Sequence, residues 1–229
     1  FAMAILVVQL SSREPVCGQV SEYYALLLLA TLGMGFVMTS ENLLGAFVAL
    51  ELVSLSLYAL TALWRRNRSS AEAALKYFTF GSVSSAFLLF GLSYIYGMTG
   101  SLDIRMIMSY FASMPTLPPL LLVGWLLVLV GLGFKIAVAP FHAWAPDVYQ
   151  NAPTPAAAWI ATGSKIAATV LLVTLLKPAI APQGEATLLL SSGVSQSGLE
   201  PDKLSGAMAE LRLSLGVALS GLAVVAMIG

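Results

Sequence analysis

Across 229 residues the chain has one cysteine, Cys17, and one histidine, His142, and only 10% of its residues are charged. A single cysteine excludes an internal disulfide and any cysteine metal site. A single histidine leaves no histidine cluster to hold a metal ion. Eleven basic residues balance eleven acidic ones, so the net charge is zero. That balance gives no basic footprint for nucleic acid. Nucleotide-binding glycine motifs are missing as well. Gly131-Leu132-Gly133 lies inside an apolar run with no strand before it. No apolar segment alternates with period two, which argues against a membrane barrel. Redox chemistry therefore has no group to work with in this chain, and no cofactor is expected here.

What the chain does have is hydrocarbon. Hydrophobic residues make up 59% of it, whereas soluble domains carry about 25% charged residues. The composition is that of an all-α polytopic membrane protein. A span needs about 20 apolar residues. Six stretches qualify or nearly so: Tyr23–Met38, Leu43–Trp64, Ala71–Tyr96, Leu120–Ala139, Ala156–Leu176 and Leu211–Ile228. Residues 1–10 read as the tail of a further apolar helix, which brings the expectation to six or seven. The chain starts without methionine and stops just after an apolar run, so it reads as a piece of a longer architecture. Two polar connectors remain, Gly97–Pro119 and Lys177–Glu210. The second is rich in Ser, Gly and Pro and reads as a mobile loop. Arg65, Arg66 and Arg68 follow the second span, placing that loop on the cytoplasmic or matrix side.

Four charges interrupt the hydrocarbon: Glu51, Lys76, Lys135 and Lys165. Each costs about 2.5–3.5 kcal/mol near a bilayer centre, so together they forfeit roughly 10 kcal/mol. Buried acids and lysines in sequence are what a proton path needs. Glu51 has no basic residue within four positions, and Lys76 on the next helix is its simplest partner. The pair is either a static packing device or a switch, because burial disfavours both charged forms and an opposite charge restores them. Lys135 has no acid near it in sequence, and the apolar continuation Ile136–Ala139 keeps it from snorkelling to the interface. Lys165 lies about ten residues into its span. It either exchanges protons or bonds a carbonyl.

The break after the fourth span gathers several of these features. Pro140 follows Lys135 by five residues, removing a donor and freeing a carbonyl near residue 136. Such backbone is tolerated at membrane depth only where protein buries it or it lines a wet cavity. His142 follows at once. Two readings stand for it, a proton relay and a packed, hydrogen-bonded side chain. Asp147 reads as an anchor for the loop beyond. Gly81, Ser82, Ser84, Ser85 and Gly91 suit close helix packing.

Five stretches carry a family resemblance. They are LLLATLGMGFVMTSENLL, ALELVSLSLYALTAL, SSAEAALKYFTFGSVSSAFLLFGLSYIYGMTG, GLGFKIAVAPFHAWAPDVYQNAPTP and ATGSKIA. Over roughly residues 22–178 the chain resembles the proton-pumping, antiporter-like subunit N family of NADH–quinone oxidoreductase, respiratory complex I. Subunits L and M and the multisubunit cation/proton antiporters are similar at greater distance. The resemblance implies roles for particular residues: Glu51 the intramembrane glutamate, Lys76 the modulating lysine, Lys135 the lysine of the broken helix, Lys165 the central-axis lysine, and His142 the histidine after the break.

The same resemblance implies a bundle of two inverted five-helix repeats. Residues 1–178 would hold most of the first repeat, and 179–229 a polar loop and one further helix. NADH, FMN, iron–sulfur clusters and quinone are expected in other subunits. The expected partners are other membrane-arm subunits, a second chain supplying the missing half, and lipids such as cardiolipin. The expected location is the mitochondrial inner membrane, with a bacterial plasma membrane as the alternative.

Overall fold

Long apolar runs cannot leave their backbone groups unpaired in lipid, and helices satisfy those groups within one segment. The computed structural model describes residues 2–11, 20–64, 67–113 and 118–180. Among these, regular structure is helical apart from one isolated bridge between Asn42 and Asp103. The expected span Leu211–Ile228, most of the Lys177–Glu210 connector, and Arg65 and Arg66 lie outside the described residues.

The helices are α1 (Ala2–Ser11), α2 (Val20–Thr39), α3 (Leu43–Thr61), α4 (Arg68–Thr99), α5 (Ile104–Ser113), α6 (Pro119–Ile136), α7 (Ala145–Asn151), α8 (Thr154–Trp159) and α9 (Lys165–Ile180). A π-helical turn, Ile160–Ser164, joins α8 to α9. Among the described residues, five segments are long and apolar enough to cross a membrane: α2, α3, α4, α6 and the composite Thr154–Leu175. Their outer faces carry exposed Leu28, Leu32, Phe36, Val48, Leu75 and Phe90, a pattern suited to lipid or to neighbouring helices. The first five expected spans are therefore present, with ends shifted by a few residues.

Asparagines start two of them. The Asn42 side chain accepts the Leu44 N–H at 2.8 Å, and that of Asn67 accepts the Ser69 N–H at 3.0 Å. Each satisfies a donor that the helix start leaves unpaired.

The Gly97–Pro119 connector is not simply a polar loop. It contains α5, whose start is capped by the Asp103 carboxylate, an acceptor for Arg105 N–H at 2.8 Å. Leu43 N–H donates to Leu102 O at 2.9 Å and Ile104 N–H to Glu41 O at 3.1 Å. Arg105 also pairs with Glu41 at 2.9 Å. The α2–α3 and α4–α5 turns are thus fastened at one end of the bundle.

The most extensive packing among the described helices is between α4 and α6. Ser84 donates to Gly131 O at 2.8 Å. A Cβ on Gly91 would meet Gly124 O at 2.6 Å, and one on Gly131 would meet the Leu88 Cβ at 2.8 Å. Of the small residues expected at helix contacts, Gly81, Ser84 and Gly91 lie there, whereas Ser82 is exposed and bonds its own helix at Phe78 O.

The break starts earlier than Pro140. Helix α6 ends at Ile136, and Ala137 turns left-handed at φ 61°. Val138 N–H reaches back to Gly133 O and Ala137 N–H to Phe134 O, both at 3.0 Å. This is the bonding of a Schellman cap, which glycine usually provides. A left-handed alanine costs about 1–2 kcal/mol. Pro140 therefore lies within the non-helical stretch rather than at its start, and the cap, not the proline, ends the helix.

Candidate functional site

Glu51 is eight residues past the start of α3, roughly 12 Å along it at 1.5 Å per residue. Lys135 is in the last turn of α6. Their side chains meet: Lys135 Nζ lies 3.0 Å from Glu51 Oε1. Nζ also donates to Ser54 Oγ at 2.5 Å and approaches Ser85 Oγ at 3.4 Å. Ser85 in turn donates to Glu51 Oε1 at 2.5 Å. Three helices, α3, α4 and α6, converge on one ammonium group. Its three donors each face an oxygen, and its side chain is only 10% exposed against 25% for Glu51.

The expected Glu51–Lys76 pair is not what forms. Lys76 instead bonds Asp147 Oδ2 at 2.8 Å and Glu72 Oε1 at 2.9 Å. The reason is helical phase. Ser85 is the α4 residue that touches Glu51, and it lies nine positions after Lys76. At about 100° per residue the two are half a turn apart, so Lys76 points away from Glu51. Asp147 was expected to anchor its loop, and it does so by holding this lysine.

Trp144 links the two charged clusters. It is 2% exposed, stacks on Tyr77 with centroids 4.5 Å apart, and donates its indole N–H to Phe134 O at 3.3 Å. Beside Lys135 a cavity of about 20 Å³ is lined by Ser54, Tyr58, Tyr77, Trp144 and Ser164, among others. That is room for about one water molecule.

Lys165 follows the π turn directly, a distortion often found at functional sites. Its Nζ lies 5.4 Å from the centre of the Tyr149 ring, within cation–π range. It forms no ion pair among the described residues. His142 is exposed. Its carbonyl accepts from Ala145 N–H at 3.0 Å, but its ring is not among the groups that contact Lys135 or Lys165. The structure thus brings Glu51 and Lys135 together, places Lys76 in a second cluster, and leaves His142 apart.

Sequence reasoning missed Ser54, Ser85 and Trp144 as members of this site. Ser54 had a readable signal, since it is three residues after Glu51 and shares its helix face. Ser85 was legible as a small packing residue. Nothing in the sequence marked it as a bond to a carboxylate.

With the geometry in view, comparison with known proteins is direct. Residues 40–196 match the family described as NADH:quinone oxidoreductase/Mrp antiporter, transmembrane. NADH-quinone oxidoreductase subunit N 2 of Acidobacterium capsulatum is 52% identical over 157 residues, covering 69% of this chain and 31% of that protein. Subunit N of Halorhodospira halophila is 46% identical over 164 residues, 72% of this chain and 34% of that protein. The chain therefore spans about a third of the length of these relatives. A chain of respiratory complex I from Thermus thermophilus superposes with TM-score 0.60 at 40% identity, over 86% of this chain and 44% of that one. A chain of the archaeal membrane-bound sulfane sulfur reductase superposes with TM-score 0.67 at 26% identity, over 95% and 46%. On the extent of the family match, this chain belongs to the transmembrane family of NADH:quinone oxidoreductases and Mrp antiporters.

Proposed function

We propose that this chain is the proton-handling part of a membrane-arm subunit of respiratory complex I, coupling NADH:quinone electron transfer to proton translocation. The observation that carries this reading is the buried centre of Lys135, Glu51, Ser54 and Ser85. While Glu51 faces it, the Lys135 ammonium has a counter-charge. If the carboxylate moves off or is neutralised, the ammonium keeps only hydroxyl oxygens among the described residues and can hand on its proton. The released proton has a water-sized cavity beside it, bounded by Ser164, the neighbour of Lys165. Re-forming the pair recharges the lysine.

In this reading the chain itself carries no redox group. NADH, FMN, iron–sulfur clusters and quinone belong to other subunits of the complex. Its partners are other membrane-arm subunits, a second polypeptide or further sequence supplying the remaining length, and lipids such as cardiolipin. The bacterial sources of the subunit N relatives named above favour a plasma membrane over the mitochondrial inner membrane.

A second reading, a subunit of a cation/proton antiporter independent of electron transfer, draws on the Mrp half of the family description. Dependence of transport on NADH oxidation separates the two. A pure scaffold is disfavoured by the buried charges, whose insertion is costly.

The test is Lys135→Met in the assembled complex, with proton uptake into inverted membrane vesicles followed during NADH oxidation. Coupled uptake should be abolished or strongly reduced. Wild-type protons per NADH, in a complex present at normal amounts, would reject the reading.

A further inference from the structure

We propose that Asp147 is a positioning residue for the Lys135 centre, acting through a two-point attachment of α7 to α4. The proposal rests on the functional reading above for what the centre does, and on the following geometry for how it is held.

Lys76 has two carboxylate partners, but they differ in kind. Glu72 is four residues back on the same helix, so that bond is local. Asp147 comes from α7, 71 positions along the chain, at 2.8 Å. The next residue of α4, Tyr77, stacks against Trp144, with the rings 9° from parallel. Trp144 and Asp147 are three residues apart, about one turn of helix. Two adjacent residues of α4 thus grip Trp144, immediately before α7, and Asp147 in its first turn.

Trp144 passes this grip on. Its indole N–H bonds Phe134 O, the carbonyl of the peptide that joins Phe134 to Lys135. Its ring lies over Phe134 at 6.0 Å between centroids. The end of α6 that carries Lys135 is therefore tied to α7, and α7 is tied to α4 by the ion pair. Lys76 and Asp147 are 43% and 44% exposed, whereas the Lys135–Glu51 bond is far more enclosed, so the Lys76–Asp147 bond is the easier of the two to open. At 3.3 Å the Trp144 bond is also near the long end of the hydrogen-bond range, so a small shift of α7 breaks it.

The experiment uses the intact complex in vesicles. Complex content, NADH oxidation and protons taken up per NADH are measured for Asp147→Asn, Asp147→Glu, Asp147→Lys, the exchange Lys76→Asp with Asp147→Lys, and Trp144→Phe. Lys135→Met is the reference. The exchange keeps the net charge of the Glu72–Lys76–Asp147 trio. Asp147→Asn should leave complex content and NADH oxidation near wild type and lower protons per NADH about two- to fivefold, the range expected for losing a partly exposed ion pair. Asp147→Glu should stay near wild type, and the exchange should recover most of what Asp147→Lys loses. Trp144→Phe, which keeps the stack and deletes the donor, should lower the ratio as well.

A role confined to folding would change complex content and leave the ratio untouched, which overturns the proposal. So does a wild-type ratio in Asp147→Asn while Lys135→Met has lost uptake. If Asp147→Asn does not assemble, the exchange decides: normal assembly with a ratio still as low as that of Asp147→Lys overturns it. A normal ratio in Lys135→Met sinks the functional reading first, and this proposal with it.

Discussion

Gly131→Leu is expected to leave little folded protein in the membrane, while Gly35→Leu accumulates near the wild-type level. A Cβ on Gly131 would lie 2.8 Å from the Leu88 Cβ, 3.0 Å from Ser84 O and 3.1 Å from Leu88 N. Two of those atoms are α4 backbone and the third is fixed to it, so no rotamer change makes room. The helices must separate. One surplus methylene in a packed core typically costs about 1–3 kcal/mol, and leucine adds four heavy atoms. An ordinary domain has only about 5–15 kcal/mol in total. The same separation would break the Ser84–Gly131 bond and draw Lys135, one turn further along α6, away from Ser85. Among the described residues outside its own helix backbone, Gly35 has no neighbour within 4 Å of the position a Cβ would take. Immunoblots of purified membranes and melting in mild detergent measure the difference. Equal amounts of the two variants would show that the α4–α6 contact does not set the fold.

The spans were legible because lipid imposes a simple rule on them: length and apolarity. Their ends were less so. Asn42 and Asn67 mark two starts by capping, yet a hydropathy reading overruns or undershoots such points by a few residues. Helix α5 was missed because its ten residues mix Met, Ser, Arg and aromatics between Gly97 and Pro119, too short and too polar for a span. Its cap, Asp103, was the available clue.

The charges were legible as a set but not as pairs. Hydropathy alone identifies Glu51, Lys76, Lys135 and Lys165 as costly residues. It does not say which lysine faces Glu51, since pairing depends on the rotation of each helix about its axis. For Lys76 the phase argument needed Ser85 placed against Glu51 first, since residues half a turn apart on α4 cannot both face α3. Assigning Lys135 needed the third helix in place. Helix α6 ends at Ile136, ahead of Pro140, because Ala137 adopts the left-handed cap, a conformation that an alanine in the sequence does not announce.

Glu51→Ala should damage both stability and pumping, and adding Lys135→Met should restore only the first. Truncating Glu51 leaves the Lys135 ammonium, 10% exposed, facing only serine hydroxyls among the described residues. Breaking a buried pair from one side typically costs about 3–5 kcal/mol, whereas replacing both partners by apolar groups is often neutral or stabilising. The single variant should therefore melt well below wild type in mild detergent. The double variant should return close to it, because methionine fills the lysine's stem and brings no charge. Pumping follows a different logic. On the proposed role of Lys135 the double variant lacks the proton carrier, so coupled uptake should be absent from it, as is expected of Lys135→Met alone. Stability and coupling then separate cleanly on the same two residues. A double variant that melts like Glu51→Ala would mean that the pair does not hold the three helices together. A double variant that still pumps would mean that protons pass α3, α4 and α6 without using Lys135.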